Sequence, residues 1–291
     1  MERMHHTGIP APVPLVGVAA GVPYAALPPT RKRRRAPLVV AWPGLDPPRS
    51  QQAMAAALPL ARLQAWRVYL GLPMAGTRAP AAGLQQPARL GADDFVLKLV
   101  GPTVEQAFAQ FPAVVAALRV QLKLNDGPVG LLGEEAGATV ALLALAESEV
   151  PVQAAVLVRP VVQLERLVAA SQRRHDLHHQ WAGAARAVAE RLDFVARAHQ
   201  IAGRNPQPAV LLQTGIHDDA SVREPVEELW HTLADHYHDP GRVGLLVVPE
   251  MGYAPSEEPG LDPAPQTPNA VWVDAAATGW LDRHLTNKEA S

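Results

Sequence analysis

Apolar residues along this chain fall into short runs separated by longer amphipathic stretches, and the two alternate almost to its end. Residues 14–29 alternate loosely around Gly21 and predict a hairpin of two edge strands, a place that tolerates their prolines. The run 37–42 is apolar throughout, as in a strand covered on both faces, and it breaks at Pro43-Gly44. A helical pattern on Met54, Leu58 and Leu63 follows over 50–64, then a strand over 66–72. The Pro/Gly/Gln-rich stretch 77–93 predicts a long surface loop. Thr103, Glu105 and Gln106 have the spacing of a capping box opening a helix that continues through Phe108, Phe111, Val115 and Leu118 to about Leu122.

The second half repeats the rhythm. A buried strand leads to Gly133, an Ala/Leu-rich helix follows, and 152–158 is the next strand. Strands are also predicted over 209–215 and 243–249, with helices over 222–237 and about 269–285, the last burying Val273, Ala277, Trp280 and Leu281. Residues 163–205 are charged and helical with no strand pattern. Strands and helices alternating at these lengths predict an α/β fold with a mostly parallel central sheet and helices on both faces. The segment 163–205 is then a helical lid inserted into a core made of 1–162 and 206–291.

Composition narrows the chemistry. The chain has 291 residues and a formal charge of −2, so it has no basic field for nucleic acid. The absence of cysteine excludes disulfides, thiolate catalysis, iron–sulfur clusters and cysteine-bound zinc. The amino terminus lacks the basic-then-apolar order of a signal peptide, and no apolar run approaches the roughly 20 residues that span a bilayer, so no membrane association and a cytoplasmic location are expected. The basic run at 31–35 reads as a solvated turn. His175, His178 and His179 share one helical face at a spacing that can hold a metal, but no fourth ligand is visible, and they read as a polar lid face. No metal or cofactor is expected.

The chemistry-bearing motif is Gly133-Glu134-Glu135-Ala136-Gly137, between the buried strand and the helix. It has the layout of a nucleophile elbow, with Glu135 where serine would stand. With this motif placed, the chain resembles the α/β-hydrolase family over nearly its whole length. The resemblance implies that ligands sit at the carboxyl ends of the strands, and that nucleophile, acid and histidine follow in that order. The nucleophile position falls on Glu135 and the histidine position on Tyr253, after the last strand. The acid position falls on Asp219, with Asp218 nearly as good; a helix N-cap is an equally natural role for either. His217 beside them reads as a surface loop residue or as a stand-in for the histidine. The oxyanion-hole loop is Trp42, Pro43, Gly44 and Leu45, and the implied donors are the N–H groups of Leu45 and Ala136.

Serine and histidine are both replaced, so the resemblance implies a degenerate triad. Three functions follow from it. The first is a pseudoenzyme that keeps a small-molecule or peptide pocket. The second is a tailoring enzyme (epimerase, isomerase, lyase or cyclase) with Glu135 as general acid/base, and the third an atypical hydrolase in which Glu135 activates water. The Val/Leu edge of the last strand is a surface on which a second copy can pair as a homodimer.

Overall fold

The computed structural model describes residues 13–31, 36–80, 85–175, 181–252 and 254–286. The chain opens with the hairpin β1 (Leu15–Ala19) and β2 (Val22–Leu27), closed by Ala20 and Gly21, both at positive φ. That pair of left-handed residues matches the right-handed twist of the flanking strands. β3 (Leu38–Trp42) precedes α1 (Gln51–Ala57), and β4 (Trp66–Leu70) precedes α2 (Gln85–Asp94). A π-helical turn over Phe95–Val100 runs into α3 (Gly101–Gln121). β5 (Val129–Glu134), α4 (Ala136–Glu147) and β6 (Val152–Val158) come next, then α5 (Leu164–His175), α6 (Gly183–Arg191) and α7 (Ala198–Ala202). β7 (Ala209–Gly215), α8 (Ala220–His236), β8 (Val243–Val248) and α9 (Pro268–Leu281) complete the described chain.

The eight strands form one sheet in the order β1-β2-β4-β3-β5-β6-β7-β8. Only β2 runs against its neighbours; β4, β3, β5, β6, β7 and β8 are parallel in successive pairs. β3 and β5 to β7 are the continuous apolar runs and occupy the centre, where helices cover both faces. One core layer holds residues of α3, α4, α7 and α8, including Val104, Phe111, Leu142, Ile201 and Leu229. The other holds Met54 of α1 and Val273, Ala277, Trp280 and Leu281 of α9. The order and direction of the strands put the carboxyl ends of β3, β5, β6 and β7 side by side. No helix among the described residues is long and apolar enough to cross a membrane.

Three expectations need correction. The stretch 77–93 is not a loop throughout, since α2 begins at Gln85. Its Pro87 lies in the first turn, where backbone N–H groups have no intrahelical acceptor in any case, so the residue that argued for a loop costs the helix no bond. Thr103 does not cap α3. Asp94 caps instead, its carboxylate accepting from Val96 N (3.1 Å) and Leu97 N (2.8 Å), and the chain is already helical when it reaches Thr103. The first helix stops at Ala57 rather than Gln64, because Pro59 disfavours helical geometry at Leu58; Leu58 and Leu63 are buried all the same.

The lid segment divides. α5 lies over the carboxyl ends of the strands, whereas α7 packs into the core with α4 and α8. α6 is tied down by Arg191, which bonds Glu105 of α3 (2.5 Å) and Glu147 of α4 (2.8 Å), and Arg197 bonds the same Glu147 (2.5 Å). The basic run at 32–35 and the histidines 178 and 179 lie outside the described residues, as does the side chain of His175.

Candidate functional site

The site begins at the junction of β5 and α4. Glu135 has φ 46° and ψ −112°, a strained conformation for a residue with a side chain, of the kind concentrated at functional sites. The neighbouring glycines make the turn possible. A Cβ on Gly133 would lie 2.4 Å from Ala138 Cα, and one on Gly137 would lie 2.3 Å from the carbonyl oxygen of Trp42. The turn is fixed by Glu135 N–H donating to Val158 O (2.9 Å) and by Thr139 N–H donating to Glu135 O (3.1 Å). The Glu135 side chain is thereby presented at the carboxyl end of the central strand.

Its carboxylate does not point freely into space. Leu45 N–H donates to Glu135 Oε2 at 2.7 Å, and the nearby N–H of Ala136, at the start of α4, favours the charged form of the same carboxylate. Those are the two N–H groups expected from the sequence to form an anion hole, and here the protein's own side chain lies beside both and is bonded to Leu45 N–H. Burial beside Asp46 raises the Glu135 carboxyl from its ordinary 4.5 to about 7, against the lowering by the two N–H groups. The residue still keeps part of its surface open to a cavity above it.

Beneath the elbow lies a charged cluster that the sequence reading did not assemble. Arg159, just after β6, is buried and held at φ 48°, with its N–H bonded to Gln213 O (2.8 Å). Its Nε donates to Asp218 Oδ1 at 2.7 Å and its Nη1 to Glu134 Oε1 at 3.3 Å. Glu134 is fully buried, and its Oε2 has no hydrogen-bond partner among the described residues. Burial pushes the Glu134 carboxyl well above the ordinary range, although Arg159 opposes the shift. Gly44 makes room for it: a Cβ there would sit 1.9 Å from Glu134 Oε2.

The predicted residues separate accordingly. Asp218, not Asp219, turns inward; it is 5% exposed and its Oδ2 accepts from Gly215 N at 2.7 Å. Asp219 is exposed and caps α8, accepting from Ser221 N (2.9 Å) and Ser221 Oγ (2.5 Å). His217 is exposed and lines the cavity mouth, its backbone held by Met251 O. Trp42 is a correction: it is 1% exposed and packs edge-on against Phe111, so it belongs to the core rather than to a ligand surface. Tyr253 lies outside the described residues.

The cavity encloses about 1130 Å³. Leu45, Asp46, Glu135 and Arg159 line its floor. Its roof comes from two insertions: Ala88, Gly91 and Phe95 from α2 and the turn after it, and Leu167, Val168 and Ser171 from α5. Among the described residues, no group of three His, Asp or Glu side chains is placed to hold a metal ion.

The raised Glu135 carboxyl has a consequence for stability. The folded state keeps a proton between about pH 4.5 and 7 that the unfolded chain has released, so stability falls as pH rises through that window. Glu135→Gln is expected to remove this part of the pH dependence. Between pH 5 and 8 the wild type should lose about 2 kcal/mol more than the variant, roughly 4 °C in Tm. Parallel Tm-against-pH curves for the two proteins would show a carboxylate that titrates normally.

No protein-family profile and no curated protein matches the sequence. Solved structures do. TT1662 from Thermus thermophilus is 18% identical, with a TM-score of 0.65 over 94% of this chain and 98% of that one. A puromycin-hydrolyzing peptidase from Mycobacterium tuberculosis is 18% identical with a TM-score of 0.64, covering 96% of this chain and 42% of its own. The acylaminoacyl peptidase of Pyrococcus horikoshii is 14% identical with a TM-score of 0.61, covering 93% and 40%. This chain therefore spans about two fifths of the length of each peptidase. The strand order, the elbow at Glu135 and these likenesses agree that the chain has the α/β-hydrolase fold.

Proposed function

We propose that the protein binds a small molecule or peptide in the cavity above Glu135 and is not a serine hydrolase. The observation that carries this reading is the Glu135 carboxylate bonded to Leu45 N–H at 2.7 Å, beside the Ala136 N–H. A site that stabilises a tetrahedral oxyanion needs such donors free to receive developing negative charge. Here a resident carboxylate takes them, an arrangement favourable at a helix N-terminus and unsuited to acyl transfer. The cavity in front of it is retained, with its roof and apolar walls.

The purified protein is accordingly expected to leave short-chain nitrophenyl esters unhydrolysed. The double change Glu135→Ser with Tyr253→His is expected to create measurable esterase activity by freeing the N–H pair and supplying nucleophile and base. Turnover by the wild type that disappears in Glu135→Gln would overturn the reading.

One observation favours a second reading. A carboxyl raised to about 7 and open to a cavity suits a general acid/base at neutral pH, as an epimerase, isomerase, lyase or cyclase requires. Its mark would be deuterium exchange into a bound ligand in heavy water, absent in Glu135→Gln.

A further inference from the structure

The two edges of the sheet are finished differently. The first, β1, exposes Leu15, Val16 and Val18, yet its backbone is blunted. Pro14 supplies no N–H just before the strand, and Gln121 Nε2 donates to Val18 O at 3.0 Å. The other edge, β8, carries none of these devices. Its residues, Val243-Gly244-Leu245-Leu246-Val247-Val248, include no charge and no proline, and no described strand pairs with its outer side.

The register with β7 decides which groups that side presents. Val248 O accepts from Ile216 N at 3.1 Å. The parallel ladder therefore turns the N–H and C=O groups of Gly244, Leu246 and Val248 toward β7, and those of Leu245 and Val247 outward. The side chains at this edge are also incompletely covered. Leu245 packs against one core layer and Leu246 against the other, each only partly buried, and Val247 is exposed. The two ends of the strand differ in charge: Arg242 precedes it, and the exposed Glu250 follows it. Asp239, also at the first end, is turned back to Gly241 N (2.9 Å). A parallel neighbour of the same sequence would set like ends together, whereas an antiparallel one sets Arg242 beside Glu250.

We infer that β8 pairs with β8 of a second copy of this chain, antiparallel about a twofold axis at Leu246. In that register Leu245 of each copy faces Val247 of the other, and the outward N–H and C=O groups of both residues are all bonded within the pair. Leu246 meets Leu246 at a non-hydrogen-bonded position, where side chains approach most closely. Pro249 falls opposite Val243, whose N–H is already bonded to Pro240 O, so the missing N–H of the proline leaves nothing unmet. Arg242 of each copy lies at the end where the other has Glu250. The two cavities, both at the carboxyl ends of the strands, open at opposite ends of one continuous sheet, and the contact is independent of what those cavities do.

The test is sedimentation velocity on the full chain over a concentration series, joined to single-thiol cross-linking. The chain has no cysteine, so one introduced thiol reports alone. Leu246→Cys is expected to form an interchain disulfide on mild oxidation, because Cα atoms about 4.5 Å apart at such a pair suit the bond. Val247→Cys, diagonal to its own copy, is expected to cross-link far less. Val247→Pro removes an outward N–H without touching the ladder to β7, and should be monomeric where the wild type is dimeric, with unchanged far-ultraviolet circular dichroism. Glu250→Arg should weaken the dimer about tenfold, and adding Arg242→Glu should restore it.

A wild type that stays monomeric at every concentration overturns the inference and leaves the edge to a strand of another protein or to none. A dimer that survives Val247→Pro, or one that cross-links through Val247→Cys as readily as through Leu246→Cys, overturns it by placing the contact elsewhere or in another register. Failure of the charge exchange to restore what Glu250→Arg removes overturns the antiparallel arrangement. The nitrophenyl ester assay judges the functional reading separately from all of these.

Discussion

Exchange of Arg159 for methionine is expected to cost about 3–5 kcal/mol, a fall in Tm of roughly 6–10 °C for a chain of this size. Methionine approximates the volume of the aliphatic stem, so little of the loss would come from a void. It would come from Asp218 and Glu134, whose side chains are both fully buried and would be left without their cation. The deficit should therefore shrink as pH is lowered from 8 to 5 and the Glu134 carboxyl, already raised by burial, takes up a proton. Glu134→Gln should behave differently. Its Oε2 has no partner among the described residues and its carboxyl is already pushed toward the neutral form, so a neutral amide replaces it at little cost. Thermal unfolding of the two variants at both pH values checks the pair of expectations; equal losses would mean that Arg159 and Glu134 contribute as packing volume rather than as charge.

Gly137→Ala is expected to have an effect of similar size by another route. The added methyl would sit 2.3 Å from Trp42 O and 2.4 Å from Pro43 O, both backbone atoms that no rotamer change can move. β3 and α4 would have to separate at the point where the elbow is defined, and overpacking against backbone costs about 3 kcal/mol or more. The matched control is Gly279→Ala in α9, where a Cβ meets nothing within 4 Å. There the helix should gain about 0.5–1 kcal/mol from the reduced freedom of the unfolded chain. Opposite signs of ΔTm for the same chemical change would show that the close approach of α4 to β3, and not glycine content as such, maintains the site.

These positions also show why some of the molecule was legible in the sequence and some was not. Strands such as 38–42 and 209–215 announce themselves because a strand covered on both faces can be little except apolar. The elbow was legible because its tight turn admits only small residues at 133 and 137. Arg159 was not. It follows an apolar run and reads as the polar end of a strand, and its partner Asp218 is 59 residues away. The two meet only because β6 and β7 pair in the register that sets Val158 against Gln213. The choice between Asp218 and Asp219 had the same origin. Adjacent carboxylates fit one spacing equally well, and the Gly215 N–H turns the first inward while the Ser221 N–H recruits the second as a cap. α2 was hidden by its own proline, whose position in the helix composition does not report.

The roof of the cavity carries one more implication. Its two parts leave the sheet from different crossovers, α2 between β4 and α3 and α5 between β6 and β7, so they share no hinge. The α5 and α6 part is fastened by ion pairs, Arg166 to Glu228 and Arg191 to Glu105 and Glu147, whereas the turn Phe95–Val100 after α2 packs against α6. Salt weakens the first kind of fastening and not the second. Raised ionic strength is thus expected to weaken the anchoring of the α5 and α6 part of the roof more than that of the other part.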